Sequence, residues 1–575
     1  MRCIGRSGEL GESKAGGRRL RCVHCNALQY LNRLPSWPLL VTMAGSNAYQ
    51  KLSLLPEGNN DRSGTHFSRV FQRTPVRRSR RDIGRISGPV TVQMIRKSMR
   101  CCSLGRAGWV ALFVLAWQPA IAGPETLSDW IAQQEVRSWQ HLQQNISPQT
   151  PKHPAEPRPL AGIVVAALQM KDPDYYFHWA RDSALVMHTI AEAFELRRPY
   201  TSRALFERQF GDFLKLSRHL QTLPSTFGLG EPRYTVNGAV DPLPWSRPQF
   251  DGPALRALCV LEYFRAESAR QVQNPERDAL AREILQTDLD YLTTVWNQRG
   301  FDVWEELLAD NYQTRLVQLA ALEQGAEWFE RRGDTSERVP RYRNVVRLLE
   351  PLLEDHWDPT RGFLRSQLAI VATDGFTAKN TDLDSEVIVA VVDADRAGVA
   401  QSVLDDRVQA TVAVLEDLFR TSFPINRRAD VGLGYGRYRG DTYYGGNAWV
   451  FITADFATFY YRLARRLKEG ASLKVSSLNI AFLRAALPAA SSGWLKEGIA
   501  APRSSLHRAA IEAFALKGDR ILERLRVSTP ADGQMYEQID KRTGAPASSR
   551  GIGWSHAAFL TAVYEREQLQ ATSVP

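Results

Sequence analysis

The chain has 575 residues, with 73 Lys+Arg against 62 Asp+Glu and a formal net charge of +11. The excess is confined to one end: residues 1–122 hold 20 basic and 5 acidic residues, which leaves 73−20=53 basic and 62−5=57 acidic residues in the rest, a net of −4. A nucleic-acid reading from overall charge therefore misplaces the basic segment, and a body near neutrality suits an uncharged substrate such as a sugar.

In chain order, residues 1–93 are Arg-rich and unpatterned and read as a spurious or disordered extension. Residues 94–122 read as a secretory signal: a basic MIRKSMRCCSLGR, the apolar run GWVALFVLAW, and Ala-Ile-Ala ending at Ala122. The run is too short to span a bilayer. A signal works only from an N-terminus, so translation is expected to start at Met94 or Met99. The expected mature protein is 123–575, exported to a periplasm or beyond, without a stable membrane anchor. Of six cysteines only Cys259 falls in it. Cys259 lies in the apolar segment ALCVLEYF and is expected to be a buried thiol. Cys22-Val-His-Cys25 is half a zinc motif with no partner pair.

From residue 124 onward helix follows helix. Apolar periodicity places helices near 125–143, 183–195, 201–221, 252–269, 276–297, 310–331, 340–356, 384–392, 401–419, 446–467, 472–487, 504–525 and 554–568. No run alternates like a strand, although Ile163–Leu168 fits either a short strand or a buried turn. About a dozen helices suggest paired helices, closing as a double ring.

The chemistry lies in five loops that each lead into a helix: 173–183, 228–252, 301–306, 432–449 and 534–554. All are rich in aromatic and charged residues, the lining of a pocket. Aromatic faces bind sugar rings, while Arg and Asp bind hydroxyls. Asp182, Asp251 and the Asn447 region also fit N-caps, and Arg181 with Asp182 fits a plain ion pair. Trp304-Glu305-Glu306 sets two carboxylates beside an aromatic. A carboxyl against an apolar ring suits a general acid, and a solvated pair beside a core Trp is the alternative. Glu537 follows 232 residues later and supplies a second carboxyl, as glycoside hydrolysis requires; an ordinary loop glutamate is the other reading.

Taken together, DYYFHWARDSAL (174–185), GEPRYTVNG with PWSRPQFDGPALRA (230–238, 244–257), FDVWEE (301–306), GRYRGDTYYGGNAW (436–449) and YEQID (536–540) resemble the glucoamylases of glycoside hydrolase family 15. The resemblance spans about 160–568. It implies an all-α (α/α)6 barrel and an inverting, exo-acting hydrolase releasing β-D-glucose from α-glucans. It implies Glu305 as acid and Glu537 as base. Tyr175 and Trp179 would stack on the innermost sugar, with Arg181 and Asp182 on its hydroxyls. Trp245 would line a subsite wall and Arg247 would reach substrate. Glu306, Arg437 and Asp441 would hold sugar, Asp302 and Trp304 would tune the acid, and Trp554 would add a pocket aromatic. No metal or organic cofactor and no nucleic-acid partner are implied, and a monomer is expected.

The chain departs from the family pattern at Ser246, where Gly is common, at Phe250, where a basic residue is common, and at Ala448. Ser246 and Phe250 keep open a relative acting on another α-linkage, such as a glucodextranase or trehalase. A non-catalytic glycan binder is the rival of a different class, and retention of both Glu305 and Glu537 argues against it. The sequence shows no β-sandwich before the barrel and no starch-binding segment after 568. Soluble oligosaccharides are therefore the expected substrates.

Overall fold

The structure is a computed structural model that describes residues 125–153, 156–371, 379 and 381–573. The expected extension (1–93) and signal (94–122) lie outside the described residues. The described helices are α1 (Leu127–Asn145), α2 (Ala180–Glu195), α3 (Arg203–Thr222), α4 (Asp251–Arg270), α5 (Pro275–Val295), α6 (Tyr312–Glu330), α7 (Arg338–Glu354), α8 (Glu386–Ala394), α9 (Asp406–Ser422), α10 (Val450–Lys468), α11 (Ile480–Ala486), α12 (Ser505–Ser528) and α13 (Gly553–Ala571). Each overlaps one expected helix. The poorest match is α11: the expected 472–487 divides into a strand, Leu473–Val475, and a shortened helix.

Two kinds of helix follow from two burial patterns. In α6, 14 of 19 residues are buried, so burial extends around most of the helix. In α7 only Val339, Tyr342, Val345, Leu349 and Leu353 are buried, one stripe at helical spacing. Helices of the first kind form an inner ring, in which α2, α4, α6, α8, α10 and α13 pack each on the next and α13 closes on α2. Around them, α3, α5, α7, α9, α12 and α1 pack on α2, α4, α6, α8, α10 and α13 respectively. This is the expected (α/α)6 barrel. Close approach is built in: a Cβ on Gly252 would stand 2.8 Å from Ala180 Cβ, where α4 meets α2. Cys259 on α4 is fully buried, as expected.

The two rings also differ at their N-termini. Five outer helices carry a side-chain cap, from Thr126, Ser202, Asn274, Asp405 and Ser504. None of the six inner helices does. The residues before them are Trp179, Phe250, Asn311, Ser385, Trp449 and Ile552. Asp182 and Asp251 are therefore not caps: both lie inside the first turn of α2 and α4. There they meet the positive end of the helix dipole.

Strands, none of which periodicity indicated, fill the gaps. Among the described residues they are two to five residues long and form five small sheets. His178–Trp179, Leu308–Asn311 and Ala448–Trp449 each run directly into an inner helix. Residues 163–167 are buried, Leu168 is exposed, and the segment makes one bridge, Val164 to Ile146, in place of a strand. At the C-terminal end of the ring a cavity of about 970 Å³ is lined by charged side chains such as Glu262, Asp395, Arg462 and Glu565. Arg462 pairs there with both Asp395 and Glu565. Of the residues expected to bind substrate, only Trp554 borders this cavity.

Candidate active site

Glu305 and Glu306 lie in the turn of a small hairpin. Strand Gly300–Phe301 pairs antiparallel with Leu308–Asn311, which pairs with Gln367–Leu368. A strand therefore separates the carboxylates from α6, and they do not sit on a loop feeding the helix directly. Asp302, fully buried, organises the turn: its Oδ1 accepts from the Glu306 and Leu307 amides at 2.7 and 3.1 Å, and its carbonyl accepts from the Glu305 amide at 2.9 Å. Burial raises the Asp302 carboxyl to about 6 against the pull of Lys379. Glu305 itself has φ +65°, a left-handed conformation that a non-glycine residue adopts only when its surroundings impose it.

The Glu305 carboxylate is met by four N–H donors. Trp179 Nε1 and Gln249 Nε2 reach Oε1 at 2.9 and 3.0 Å, Arg181 Nη2 reaches it at 3.3 Å, and Trp245 Nε1 reaches Oε2 at 2.7 Å. Each donor stands near the start of an inner helix: Trp179 and Arg181 at α2, Trp245 and Gln249 just before α4. Arg181 also donates from Nη1 to Asp251 (3.0 Å) and Gln249 (2.9 Å). Its buried Nε stands 3.6 Å from Asp182 Oδ2 without a hydrogen bond. Burial raises Asp182 to about 6, and Arg181 opposes this. Trp304 is not the ring beside Glu305. Its indole donates to Asp384 at 3.0 Å, and it packs on Trp449 and Phe451.

Glu537 sits in the strand Tyr536–Ile539, between Ala448–Trp449 and Pro546–Arg550. Tyr536 faces Arg550 while Gln538 faces Ala547. Pro546–Arg550 therefore carries an extra residue at this point, a bulge of the kind that re-aims side chains beside active sites. Ser548, with φ +62°, lies in that bulge and donates to Glu537 Oε2. Tyr175 donates to Oε1 at 2.9 Å, and its hydroxyl is 2.5 Å from that of Tyr443. Burial pushes Glu537 up to about 7, while the Ser548 and Tyr175 hydroxyls pull the other way.

A third cluster joins Arg437, Asp441 and Glu306. Arg437 forks onto Asp441 at 2.9 and 2.5 Å and reaches Glu306 Oε1 at 2.9 Å. Tyr438 donates to Glu306 Oε2 at 2.6 Å. Trp304, Tyr443 and Trp449 surround the guanidinium. The loop closes tightly at Gly446, φ +62°, where a Cβ would overlap the Asp441 carbonyl. Trp554, in the first turn of α13, stacks on Phe451 at 3.8 Å and faces Arg181. Trp245 is 37% exposed, at the rim, with Arg233 over its ring. Arg247 is engaged as a brace: it donates to Glu231 Oε1 and to the carbonyls of Asp241 and Leu243. Phe250 is 3% exposed and packs near Tyr291 in the core, not in the site.

The two carboxyls share one aromatic wall. Trp179 donates to Glu305, and its ring lies edge-on to Tyr175, 5.8 Å between centroids, whose hydroxyl holds Glu537. Sequence reasoning missed Gln249, Asp251 as the partner of Arg181, Tyr438, Tyr443 and Ser548. The first four stand inside or beside blocks it had singled out. Ser548 also lies in the loop 534–554, but its Pro-Ala-Ser-Ser run carries no signal of its own. Among the described residues no group of three or more His, Cys, Asp and Glu is set to hold a metal.

Two carboxyls on an aromatic wall, ringed by Arg and Asp at the N-terminal mouth of a helical toroid, define a carbohydrate-cleaving hydrolase. The model of the family described as Glycosyl hydrolases family 15 matches residues 136–564. Glucoamylase 1 of Rhizopus oryzae is 27% identical, over 77% of this chain and 72% of its own. Glucoamylase P of Amorphotheca resinae is 31% identical, over 77% and 71%. The solved structure of the family 15 glucoamylase from Hypocrea jecorina superposes with a TM-score of 0.68 at 27% identity, over 78% of this chain and 75% of its own. The chain belongs to glycoside hydrolase family 15 and is a glycoside hydrolase.

Proposed function

We propose that the protein is a glucoamylase-like, exo-acting hydrolase that releases β-D-glucose from the non-reducing ends of α-1,4-glucans and malto-oligosaccharides. The shared wall Glu305–Trp179–Tyr175–Glu537 carries this reading. Glu305 gives its proton to the glycosidic oxygen as the bond to C1 breaks. Glu537 takes a proton from the water that attacks C1 from the opposite face, which inverts the anomeric centre. Tyr175 and Ser548 hold Glu537 on target. Arg181 and Asp182 bind hydroxyls of the terminal sugar, and Glu306 and Arg437 bind on the far side.

Phe250, one of two sequence reasons for considering another linkage, lies in the core and bears on packing rather than on substrate. No described helix is long and apolar enough to cross a membrane, and export through residues 94–122 rests on the leader pattern alone. Proton NMR of maltotriose digestion, read in the opening minutes, tests the activity. β-Glucose is expected first. α-Glucose first would overturn inversion, and turnover of isomaltose, dextran or trehalose without turnover of maltotriose would reassign the linkage.

A further inference from the structure

Glu305 is held from two directions, and only one of them acts on its carboxylate. Trp245 and Gln249 bind the carboxylate oxygens. Between them in sequence, the Ser246 hydroxyl donates to the main-chain carbonyl of Glu305 at 2.5 Å. Gln249 Nε2 also donates to the Ser246 carbonyl at 2.9 Å, so the segment 245–249 is a clamp fixed within itself. The peptide it grips is the one that needs holding: Glu305 has φ +65°, a conformation that a non-glycine residue keeps only where its surroundings over-determine it. Asp302 fixes the amide side of this turn, and Ser246 fixes the carbonyl side.

We propose that Ser246 is a positioning residue, whose hydroxyl holds the Glu305 peptide in the left-handed turn and so aims the Glu305 carboxyl at the glycosidic oxygen. Ser246 touches no reacting atom and acts through Glu305; the proposal rests on the reading of Glu305 as general acid. Of the chain's departures from the family pattern near the acid, Phe250 is buried in the core, and Ser246 makes a contact that glycine cannot make.

A misaimed acid slows only those substrates whose leaving group must be protonated. Maltose needs that proton; α-D-glucopyranosyl fluoride loses fluoride without it. In S246A, kcat on maltose is expected to fall about tenfold with KM within about twofold, the scale of one lost hydrogen bond to a reacting group's support. On the fluoride the loss is expected to stay below about twofold. S246C matches serine in size but is a poor donor and should behave as S246A does, while S246T keeps the hydroxyl and should recover most of the maltose activity. Undiminished maltose turnover in both S246A and S246C overturns the proposal. So does equal loss on both substrates, and so does an S246T variant as slow as S246A. If the unsubstituted protein cleaves neither substrate, it is the glucoamylase reading that falls, so the two failures are distinct.

Discussion

Around Glu305 the donors to the carboxylate are nitrogens: two indoles, an amide and a guanidinium. Around Glu537 the side-chain donors are oxygens, the Tyr175 phenol and the Ser548 hydroxyl, with the Ser549 main-chain amide beside them. The backbones differ as well. Glu305 stands in the turn of a two-residue hairpin arm, in a left-handed conformation. Glu537 is in the middle strand of a three-stranded sheet and is 2% exposed. Indole and guanidinium N–H groups can only donate, so Glu305 is oriented by donors alone. The phenol and the hydroxyl can donate or accept, so Glu537 keeps its partners whether or not it carries a proton. On the roles proposed above, giving a proton and taking one would thus fall to two differently built sites.

The largest effect that separates them is loss of the chemistry itself. E305Q and E537Q are each expected to slow maltose hydrolysis by about 10²–10⁴, the usual weight of a general acid or base. They should then diverge on α-D-glucopyranosyl fluoride: E305Q recovers most of its rate, because no proton is needed, while E537Q stays slow, because water must still be activated. Initial rates on both substrates decide it. Parallel behaviour of the two variants would dissolve the division of roles.

A smaller effect tests the oxygen donors. Both hydroxyls favour the ionised form of Glu537, while burial leaves its carboxyl near 7. Removing Ser548 Oγ in S548A therefore raises Glu537 further. The base must be ionised to act, so activity falls as pH drops through its pKa. The acid limb of the kcat/KM profile, which reports the free enzyme, should stand above the ordinary glutamate range and move up by about half a pH unit or more in S548A. Rates across pH 4–9 measure it. An unmoved limb would remove Ser548 from the electrostatics of the base.

The parts of this arrangement that could be read in the sequence were those with a period or a block. Thirteen helices followed from apolar spacing, because inner and outer helices both bury a continuous stripe or more. The loops around Trp179, Glu305, Arg437 and Glu537 stood out because aromatic and charged residues crowd before helix starts. Strands of two to five residues carry too little alternation to detect, so the small sheets that position Glu305 and Glu537 leave no trace in the sequence. The alternative reading of two aspartates as caps fails for a related reason. Asp182 and Asp251 look like caps, but the inner helices give the cap position to residues such as Trp179 and Trp449, and the aspartates turn to Arg181. Trp304 shows the same limit at the level of one side chain. Adjacency to Glu305 suggested a ring against the acid, yet a turn sends neighbouring side chains apart, and Trp304 packs beneath Arg437. Ser548 reaches Glu537 only because the strand bulges, a feature set by three-dimensional pairing.

The smallest effect contrasts the two carboxyls in stability. In the fold Glu537 titrates near 7, whereas in the unfolded chain it titrates near the usual value of about 4.3. Between those values the folded protein holds a proton that the unfolded chain has released. By linkage, this contribution is fully present below about pH 4.3 and is lost as pH rises through 7. E537Q is neutral at every pH and loses nothing across that window. Its melting temperature relative to the unsubstituted protein should therefore climb with pH, from little difference near pH 4 to a gain of a few degrees near pH 8, with a ceiling of about 4 kcal/mol. E305Q removes a carboxylate from Arg181, which stays buried beside Asp182 and Asp251, and is expected to melt slightly lower than the unsubstituted protein at neutral pH. Calorimetry of the three proteins at pH 4, 6 and 8 compares them. If the difference for E537Q is flat with pH, burial does not govern Glu537; if E305Q also gains stability at neutral pH, the carboxylate there costs the fold more than Arg181 returns.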